Sequence, residues 1–444
     1  MNICVCGLAR SGISASELAA KSGACVTATC LKEDEKLRGE ISRLEELGVT
    51  VITGRNPDRA LLDKTDIVVL SPGVRPDLPF LRDYKGEVIP EIEFAWRFCK
   101  ATVIGVTGTN GKTTTTTLIA RIMCCVNPKS RALGNIGDAF SAYVSELPED
   151  AFAVLELSSF QLESADAFRP HIAVVLQITP DHLDRHKTME NYINAKENIF
   201  KNQTRDDFLI LNYDDEICRK MAEKANAQVI FFSQKETLEN GVFLQDDIIV
   251  SSKNNEITKV CPISDLRVLG AHNVENAMAA VGAALAAGVS PETIGKTLGD
   301  FTGVAHRIEF TRELDGVKFY NDSKATNPDS AIKGLLAMGG QTVLIGGGYD
   351  KNSDFSGWVS LFKGRVSHFI ILGAVSEQLE DTCKACAFLD YTRVNSLKDA
   401  VSIAYQKSEK GGNVLLSPAC ASWDMFDDYE QRGNLFKMFV NELS

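Results

Sequence analysis

The stretch TVIGVTGTNGKTT, at positions 102–114, has the strongest structural signal in the chain. Apolar residues over 102–107 predict a strand, and a helix is predicted over 114–125 after a turn of small residues. Small residues allow backbone N–H groups to wrap a phosphate, and the amino end of a helix adds a favourable dipole. Lys112 could then contact the β- and γ-phosphates, and Thr113 could offer its hydroxyl to Mg²⁺. The stretch therefore predicts a strand, a phosphate-binding loop and a helix.

The loop differs from the strict Walker A pattern, because Val106 stands where that pattern has a glycine. The alternative is a tight glycine turn that binds no ligand. The strand before the loop, the helix after it and the GKT triplet together favour nucleotide binding. The predicted nucleotide-binding residues of the loop are Gly108, Thr109, Asn110, Gly111, Lys112, Thr113 and Thr114.

Strands and helices alternate along most of the chain, which predicts an α/β protein with parallel sheets of the doubly wound type. New strand-turn-helix series begin near residues 3, 102 and 318. We therefore expect three domains: a Rossmann-like domain over 1–100, a central P-loop ATPase-like domain over 101–302 and a Rossmann-like domain over 303–444. The length of 444 residues is sufficient for three such domains.

Composition excludes several classes of protein. The net charge is −12 and no Lys/Arg cluster stands out, which argues against nucleic acid or an anionic membrane as a partner. No run of about 18 apolar residues is present, and the amino terminus lacks the pattern of a secretory signal. The twelve cysteines are scattered, as expected of free thiols in a reducing compartment. We therefore expect a cytoplasmic protein.

Polar groups follow several predicted strands, where ligands collect in parallel sheets. Glu156 lies near the end of the apolar run 152–157, as a Mg²⁺ ligand or water-positioning group would; a structural ion pair is the alternative. The next strand, predicted over 172–178, leads into TPDHLDRH with His182 and His186. A lone histidine could be an ordinary surface residue, but the whole loop favours a metal or substrate site.

The amino-terminal turn GLARSG, at 7–12, gives a weaker signal. It lacks the GxGxxG spacing, and Cys30 stands where a nicotinamide enzyme needs an acid for the ribose. A dehydrogenase is therefore disfavoured, although a nucleotide diphosphate could bind here. SPG at 71–73 is expected at the same sheet edge.

The third domain has three polar segments at strand ends: NDSKATN at 321–327, GGGYDK at 346–351 and SPACASW at 417–423. Two lysines and several hydroxyls at one edge predict a site for an anionic small molecule. Arg307 lies at the predicted domain boundary and could reach a nucleotide. Asn276, near a helix start, could be only a helix cap.

Taken together, these motifs resemble the Mur ligases, in order and over essentially the whole chain. The matching segments are TGTNGKTT at 107–114, LELSSFQLE at 155–163, DHLDRH at 181–186, YINAKENIF at 192–200, GAHNVENAMAA at 270–280, AHRIEF at 305–310, NDSKATNP at 321–328 and SPACASWDMFDDYEQRG at 417–433. The pairing of LELSSFQLE with SPACASWD is similar to the members that add D-glutamate.

The resemblance implies an ATP-dependent ligase that joins D-glutamate to UDP-N-acetylmuramoyl-L-alanine through an acyl phosphate, a cytoplasmic step of peptidoglycan precursor synthesis. It implies two Mg²⁺ sites. We also expect the protein to be a monomer, although the sequence does not fix the oligomeric state. The implied catalytic residues are Lys112, Glu156, His182 and Lys196. The implied metal ligands are Thr113, Glu156, His182 and Lys196 as a carbamate.

The resemblance also implies the binding residues for each substrate. ATP would contact the phosphate loop together with Asn276, Arg307 and Asp322. The UDP-muramyl substrate would contact Arg10, Ser11, Gly12, Ser71, Pro72, Gly73, Asn135 and His182. D-Glutamate would contact Lys324, Thr326, Lys351, Ser422 and Tyr429. Cys30 departs from the family, which usually has an acid near that position.

Lys196 lies on the apolar face of a helix predicted over 189–200, because its spacing matches Tyr192, Ile193, Ile199 and Phe200. Burial lowers a lysine pKa and supplies the neutral amine that captures carbon dioxide. The resulting carbamate is an oxygen ligand suited to Mg²⁺. The alternative is a lysine whose head reaches solvent past the helix.

Three other functions remain as alternatives. Another ligase of the superfamily, such as a folylpolyglutamate synthase or a sibling that adds a different amino acid, is disfavoured by SPACASWD. A nucleotide-binding regulator without activity is disfavoured by the intact Lys112, Glu156, His182 and Lys196. A dehydrogenase would oxidise or reduce a nicotinamide, whereas a ligase would release ADP only with its substrates.

Overall fold

The computed structural model describes residues 1–31, 37–268, 270–349 and 353–444. Its contacts divide the chain into two compact units. The first contains Met1–Asp265 and Glu275–Gly299, and the second contains Leu266–Val274 and Asp300–Ser444. Lys351, predicted to bind D-glutamate, lies outside the described residues.

The first sheet of the first unit is parallel, with the strand order β3-β2-β1-β4-β5. Its strands are β1 (Asn2–Cys6), β2 (Cys25–Cys30), β3 (Thr50–Thr53), β4 (Ile67–Leu70) and β5 (Glu87–Pro90). Its helices are α1 (Arg10–Lys21), α2 (Arg38–Glu46), α3 (Arg59–Leu62) and α4 (Glu91–Trp96). The strand order reverses between β1 and β4, so a crevice for a ligand is expected at their carboxyl ends.

The second sheet of the first unit has the order β14-β13-β12-β11-β10-β9-β6-β8-β7. Its strands are β6 (Thr102–Thr107), β7 (Arg131–Gly134), β8 (Phe152–Glu156), β9 (Ile172–Val175), β10 (Phe208–Asn212), β11 (Gln228–Ser233), β12 (Gly241–Gln245), β13 (Ile248–Lys253) and β14 (Glu256–Pro262). The helices that follow β6 are α5 (Lys112–Val126), α6 (Phe140–Tyr143), α7 (Ser159–Leu162), α8 (Leu183–His186), α9 (Met189–Glu197), α10 (Glu216–Met221), α11 (Ala271–Ala286) and α12 (Pro291–Gly299).

The expectation of parallel sheets is incomplete, because β12, β13 and β14 pair antiparallel at the edge of this sheet. Two-residue turns, Asp246-Asp247 and Asn254-Asn255, join these strands. All four residues have positive φ angles between 49° and 64°. Turns with two positive φ angles match the twist of a hairpin and favour Asn, Asp and Gly.

The sheet of the second unit has the order β15-β16-β20-β17-β18-β19, and only its edge pair β15–β16 is antiparallel among the pairs described. Its strands are β15 (Glu309–Leu314), β16 (Val317–Asn321), β17 (Thr342–Gly347), β18 (Val366–Leu372), β19 (Tyr391–Arg393) and β20 (Asn413–Leu416). Its helices are α13 (Pro328–Leu336), α14 (Ser356–Val359), α15 (Ser376–Ala385), α16 (Leu397–Lys407) and α17 (Tyr429–Glu442).

The α/β class with three sheets is confirmed. The predicted domain cuts near residues 100 and 302 stay a prediction; both the first and the second sheet belong to the first compact unit. None of the described helices is both long and apolar enough to cross a membrane.

Gly12 allows α1 to approach the turn after β1. A Cβ at this position would lie 1.7 Å from the Gly7 carbonyl oxygen and 2.7 Å from the Ser71 hydroxyl. We expect Gly12→Ala to destabilise the fold by about 2 kcal/mol or more, because the start of α1 and the turn after β1 would have to move apart to make room for the methyl group. Calorimetry should show a Tm several degrees below that of the wild type. Gly39→Ala in α2 is the control, because a Cβ there meets nothing within 4 Å; equal Tm values for the two variants would contradict the prediction.

Candidate active site

The phosphate loop has the predicted form of a strand, a glycine turn and a helix. β6 ends at Thr107 and α5 begins at Lys112, slightly earlier than predicted. Gly108 and Gly111 have φ angles of 146° and 84°, a region that favours glycine. A Cβ at Gly111 would also lie 2.2 Å from the Asn276 side-chain oxygen. Glycine is therefore required at this point of the loop.

Lys112 lies over its own loop. Its Nζ donates to the carbonyl oxygens of Gly108, at 2.9 Å, and Thr109, at 2.7 Å. These are the carbonyls of the turn that small residues were predicted to form. The ammonium is thus held at the mouth of the loop, where a phosphate would compete for it.

Glu156 ends β8 as predicted and is 2% exposed. The strand register pairs it with Val106, directly before the phosphate loop. Its Oε1 accepts a hydrogen bond of 2.9 Å from Asn135 Nδ2, whereas its Oε2 is buried without a hydrogen-bond partner. An unpaired buried carboxylate oxygen is costly in a folded protein. This oxygen therefore fits the inner-sphere position of a cation next to the loop.

Lys196 points inward, as predicted from its helical spacing, and is 1% exposed. Its Nζ donates to Gly108 O at 2.8 Å and to Thr107 Oγ1 at 3.4 Å, and lies 4.8 Å from the centre of the Tyr192 ring. Burial, and then the charge of Lys112, hold the pKa of Lys196 well below its usual value. The alternative of a lysine reaching solvent is wrong.

The two histidines of the DHLDRH segment have different environments. His182 has φ 52° and ψ 32°, and its side chain is half exposed. Its ring lies 4.8 Å from that of Phe160, between centroids. His186 is buried, and its Nε2 is 2.9 Å from Ser159 Oγ. His182 is therefore placed to meet a ligand, whereas His186 supports the loop.

A cleft of about 310 Å³ brings together several predicted residues of the first unit. Those predicted are Pro72, Gly73, Lys112, Asn135, His182 and Lys196; those missed are Ser158, Ser159, Phe160, Asp181 and Tyr192. The missed residues lie within the segments LELSSFQLE, DHLDRH and YINAKENIF, which the sequence analysis had already singled out. Membership of those segments was the signal that could have identified them.

The structure does not bring together a ready-made metal site of acidic or imidazole ligands. Among the described residues, no group of three or more His, Cys, Asp or Glu side chains could hold a metal ion. The buried, unpaired Glu156 Oε2 nevertheless fits Mg²⁺, which uses few protein ligands and keeps waters and phosphates as the others. Thr113 and Glu156 would hold one ion.

The residues at 10–12 and 71–73 that are predicted to contact the UDP-muramyl substrate differ in their exposure to solvent. Ser71 is buried, and its hydroxyl donates to the Gly7 carbonyl at 2.9 Å. Gly12 is buried against the same turn, whereas Arg10 and Gly73 are exposed. Ser11 and Pro72 are partly exposed. The Ser71 hydroxyl thus already has a structural role, and substrate would have to reach it at the edge of the turn.

In the second unit, Asp322 lies in a buried site after β16. Its Oδ2 accepts from Ser417 Oγ at 2.8 Å and its Oδ1 accepts from the Ile308 N–H at 3.2 Å. Burial raises the pKa of Asp322 to about 7, although these hydrogen bonds and the charge of Arg307 oppose that shift. Arg307 Nε is buried without a hydrogen-bond partner.

The residues predicted to bind D-glutamate follow β16 and β20. Lys324 Nζ lies 5.2 Å from the centre of the Tyr429 ring. Thr326 is partly exposed and Ser422 is buried. Lys351, which follows β17 in the chain, lies outside the described residues.

Arg432 was missed by the sequence reasoning, although it lies in the EQRG part of a recognised motif. It is 2% exposed, and its guanidinium donates to Ser323 Oγ at 2.9 Å, to Ser323 O at 2.8 Å and to Cys420 O at 3.2 Å. It therefore joins the loops that follow β16 and β20.

Comparison with known proteins places this geometry in a family. Residues 106–284 match the Mur ligase middle domain, and residues 306–420 match the Mur ligase glutamate ligase domain. The chain belongs to the Mur ligase family.

Individual Mur ligases are similar over the full length. The UDP-N-acetylmuramoylalanine–D-glutamate ligase of Alkaliphilus oremlandii is 42% identical, with 100% of this chain and 98% of that protein covered. The protein of the same name from Clostridioides difficile is 42% identical, with 98% and 97% covered.

Solved structures show the same fold at low sequence identity. A pseudomurein peptide ligase type C from Methanothermus fervidus has a TM-score of 0.61 at 17% identity, with 100% of each chain covered. The UDP-N-acetylmuramate-alanine ligase of Thermotoga maritima has a TM-score of 0.61 at 20% identity, with 99% of each covered.

The raised pKa of Asp322 predicts a pH dependence of stability. Between pH 3.8, the ordinary pKa of an aspartate, and about pH 7, the raised pKa of Asp322, the unfolded state releases the proton that the folded state keeps. Wild-type stability therefore falls as pH rises through this window, by up to about 1.4 kcal/mol per pH unit, and levels above it. We expect the Tm of Asp322→Asn relative to wild type to rise between pH 4 and 7 and then stay constant. Asp390→Asn, at an exposed position, is the control. A Tm difference between Asp322→Asn and wild type that does not change between pH 4 and 7 would contradict the prediction.

Proposed function

We propose that this protein joins D-glutamate to UDP-N-acetylmuramoyl-L-alanine with conversion of ATP to ADP and phosphate, a step of peptidoglycan precursor synthesis. The main support is identity of about 42% over the whole chain to UDP-N-acetylmuramoylalanine–D-glutamate ligases. The cleft beside the phosphate loop supports the same conclusion, because two lysines, a histidine and a side-chain amide surround one space.

Amide formation requires activation, because a carboxylate is a poor electrophile. In the proposed route the L-alanyl carboxylate attacks the γ-phosphate of ATP, and ADP leaves. The D-glutamate amine then attacks the acyl phosphate, and phosphate leaves from the tetrahedral intermediate. The protein contributes mainly position and neutralisation of charge.

Lys112 would leave the carbonyls of Gly108 and Thr109 for the phosphates of ATP. Asn135 would bind the muramyl substrate while its Nδ2 keeps Glu156 oriented. His182, half exposed at the edge of the cleft, would contact the same substrate. When bound, Mg²⁺ would neutralise charge on the transferred phosphate. We assign its two sites to Thr113 with Glu156, and to His182 with Lys196.

We also propose that Lys196 is carbamylated. Support comes from its burial and its lowered pKa, since only the neutral amine adds to carbon dioxide. A carbamate keeps one N–H, so the hydrogen bond to the Gly108 carbonyl can remain. The product is an anion, which removes the cost of a buried ammonium near Lys112.

In the second unit, the residues proposed to bind D-glutamate are Lys324, Thr326, Lys351, Ser422 and Tyr429, and those proposed to contact the nucleotide are Arg307 and Asp322. In the first unit, Asn276 is proposed as a nucleotide contact. Cationic and hydroxyl groups suit the two carboxylates of the amino acid. We propose that the enzyme works in the cytoplasm, where ATP and UDP-sugars are available, and as a monomer.

Substrate dependence tests the proposed function directly. ADP release should require both UDP-N-acetylmuramoyl-L-alanine and D-glutamate, because the acyl phosphate forms only on the first and is discharged by the second. A coupled assay for phosphate release should show less than about one hundredth of the rate when either is omitted. Turnover with L-glutamate or a diamino acid, and none with D-glutamate, would refute the assignment.

Removal of the Lys196 side chain tests the carbamate. We expect Lys196→Ala to lower kcat at least about 100-fold, because the variant lacks the carbamate that is proposed to bind Mg²⁺. Formate or acetate should restore part of the activity by occupying the vacated space. Lys201→Ala, at an exposed lysine outside the cleft, should retain wild-type activity. In the wild type, ¹³C-bicarbonate should give a carbamate NMR signal; its absence in fully active enzyme, or an unimpaired Lys196→Ala variant, would end the proposal.

A further inference from the structure

Arg185 joins three parts of the first unit in one place. Its side chain is 11% exposed. Nε and Nη2 donate to Glu163 Oε2, at 3.1 and 2.8 Å, and Nη1 donates to the Pro72 carbonyl at 3.1 Å. The guanidinium carbon lies 4.1 Å from the centre of the Phe160 ring. One planar cation thus contacts a carboxylate, a backbone carbonyl and an aromatic face.

The contact with Pro72 has a consequence for the turn at 71–73. The Pro72 carbonyl and the Gly73 N–H belong to one planar trans peptide, so they point in opposite directions. Fixing the carbonyl on Arg185 therefore fixes the direction of the Gly73 N–H. Pro72 and Gly73 both border the 310 Å³ cleft. A backbone N–H of this kind suits an anionic oxygen such as that of a diphosphate.

The contact with Phe160 leads to the histidine loop. The Phe160 ring packs against His182, with centroids 4.8 Å apart, and against His186, at 5.6 Å. Arg185 is three residues after His182 in the same segment, so it restrains the loop through the backbone as well. Both routes limit where the His182 imidazole can lie.

We propose that Arg185 is a positioning residue that aligns the diphosphate-binding turn at Pro72-Gly73 with His182, so that the UDP-linked substrate meets both in one arrangement. This inference rests on the proposed function. Lysine could not replace Arg185 in this role, because only a planar guanidinium can bind two acceptors and stack on an aromatic ring at the same time.

The simpler alternative is that Arg185 only forms an ion pair with Glu163. Partly exposed pairs contribute little to stability, about 0–1 kcal/mol. The alternative predicts that loss of either partner has the same small effect, and that substrate binding does not change. The proposal predicts different effects, because Glu163 does not contact the turn in the described contacts.

The test compares Arg185→Met and Arg185→Lys with Glu163→Gln. We expect both Arg185 variants to raise the Kd for UDP-N-acetylmuramoyl-L-alanine, measured by calorimetry, and its KM, by at least about tenfold, or about 1.4 kcal/mol. Their kcat should fall several-fold, while the KM values for ATP and D-glutamate stay within twofold. Glu163→Gln should remain within threefold of wild type in all of these.

Arg75→Met is the matched control. Arg75 is a more exposed arginine, 42% exposed, which pairs with Asp77 and borders the same pocket as Arg185. Its loss should change neither Kd nor kcat. If Arg185→Met does not fold, Arg185→Lys and Phe160→Leu provide the test, and Phe160→Leu should lower kcat.

Three outcomes would overturn the inference: wild-type Kd and kcat in a folded Arg185 variant, whatever its Tm; an equal rise in the KM of all three substrates; or Glu163→Gln matching Arg185→Met. A wild-type enzyme that does not turn over these substrates would instead refute the proposed function, so the two failures are distinguishable.

Discussion

The carbonyl oxygen of Gly108 accepts hydrogen bonds from two lysines, Lys112 at 2.9 Å and Lys196 at 2.8 Å. Two ammonium groups so close to one acceptor repel each other, and one of them is fully buried. Water cannot screen that repulsion, so the buried member loses its proton more easily. The lowered pKa of Lys196 follows from this arrangement, with burial as the larger cause and Lys112 as the next. The chemistry proposed for the site begins with that neutral amine.

Glu156 places an unpaired negative group in the same site, in contrast to the two lysines. Asn135 satisfies one of its carboxylate oxygens, and the other is buried without a partner. The site therefore contains a lysine, Lys196, whose protonated form is destabilised, and a carboxylate, Glu156, with one oxygen that lacks a hydrogen-bond partner. Neither group is well stabilised without a ligand. A cation and a phosphate would complete it, because the cation pairs with Glu156 and the phosphate with Lys112. Such local cost is typical of functional sites rather than of structural cores.

The sequence predicted the local geometry of the phosphate loop and the burial of Lys196 because the signals for both are local. The glycine turn, the GKT triplet and the helical spacing of Lys196 each lie within a few residues, and the structure has them as predicted. The antiparallel strands β12–β14 were missed because β14 is mostly exposed and lacks an apolar run. The turns Asp246-Asp247 and Asn254-Asn255 were the available signal. The roles of Arg432 and Ser71 depend on partners far along the chain, which no local pattern identifies.

The shared carbonyl also links the two lysines during nucleotide binding. If Lys112 moves to a phosphate, Lys196 still donates to Gly108 O, and a carbamate N–H is sufficient for that bond. The repulsion that lowered the Lys196 pKa would then weaken, which by itself would favour reprotonation of a free amine. A carbamate prevents this, because its nitrogen is no longer basic. The modification would therefore keep the site ready for a cation at the stage when Lys112 is engaged elsewhere, which the burial of Lys196 alone would not ensure.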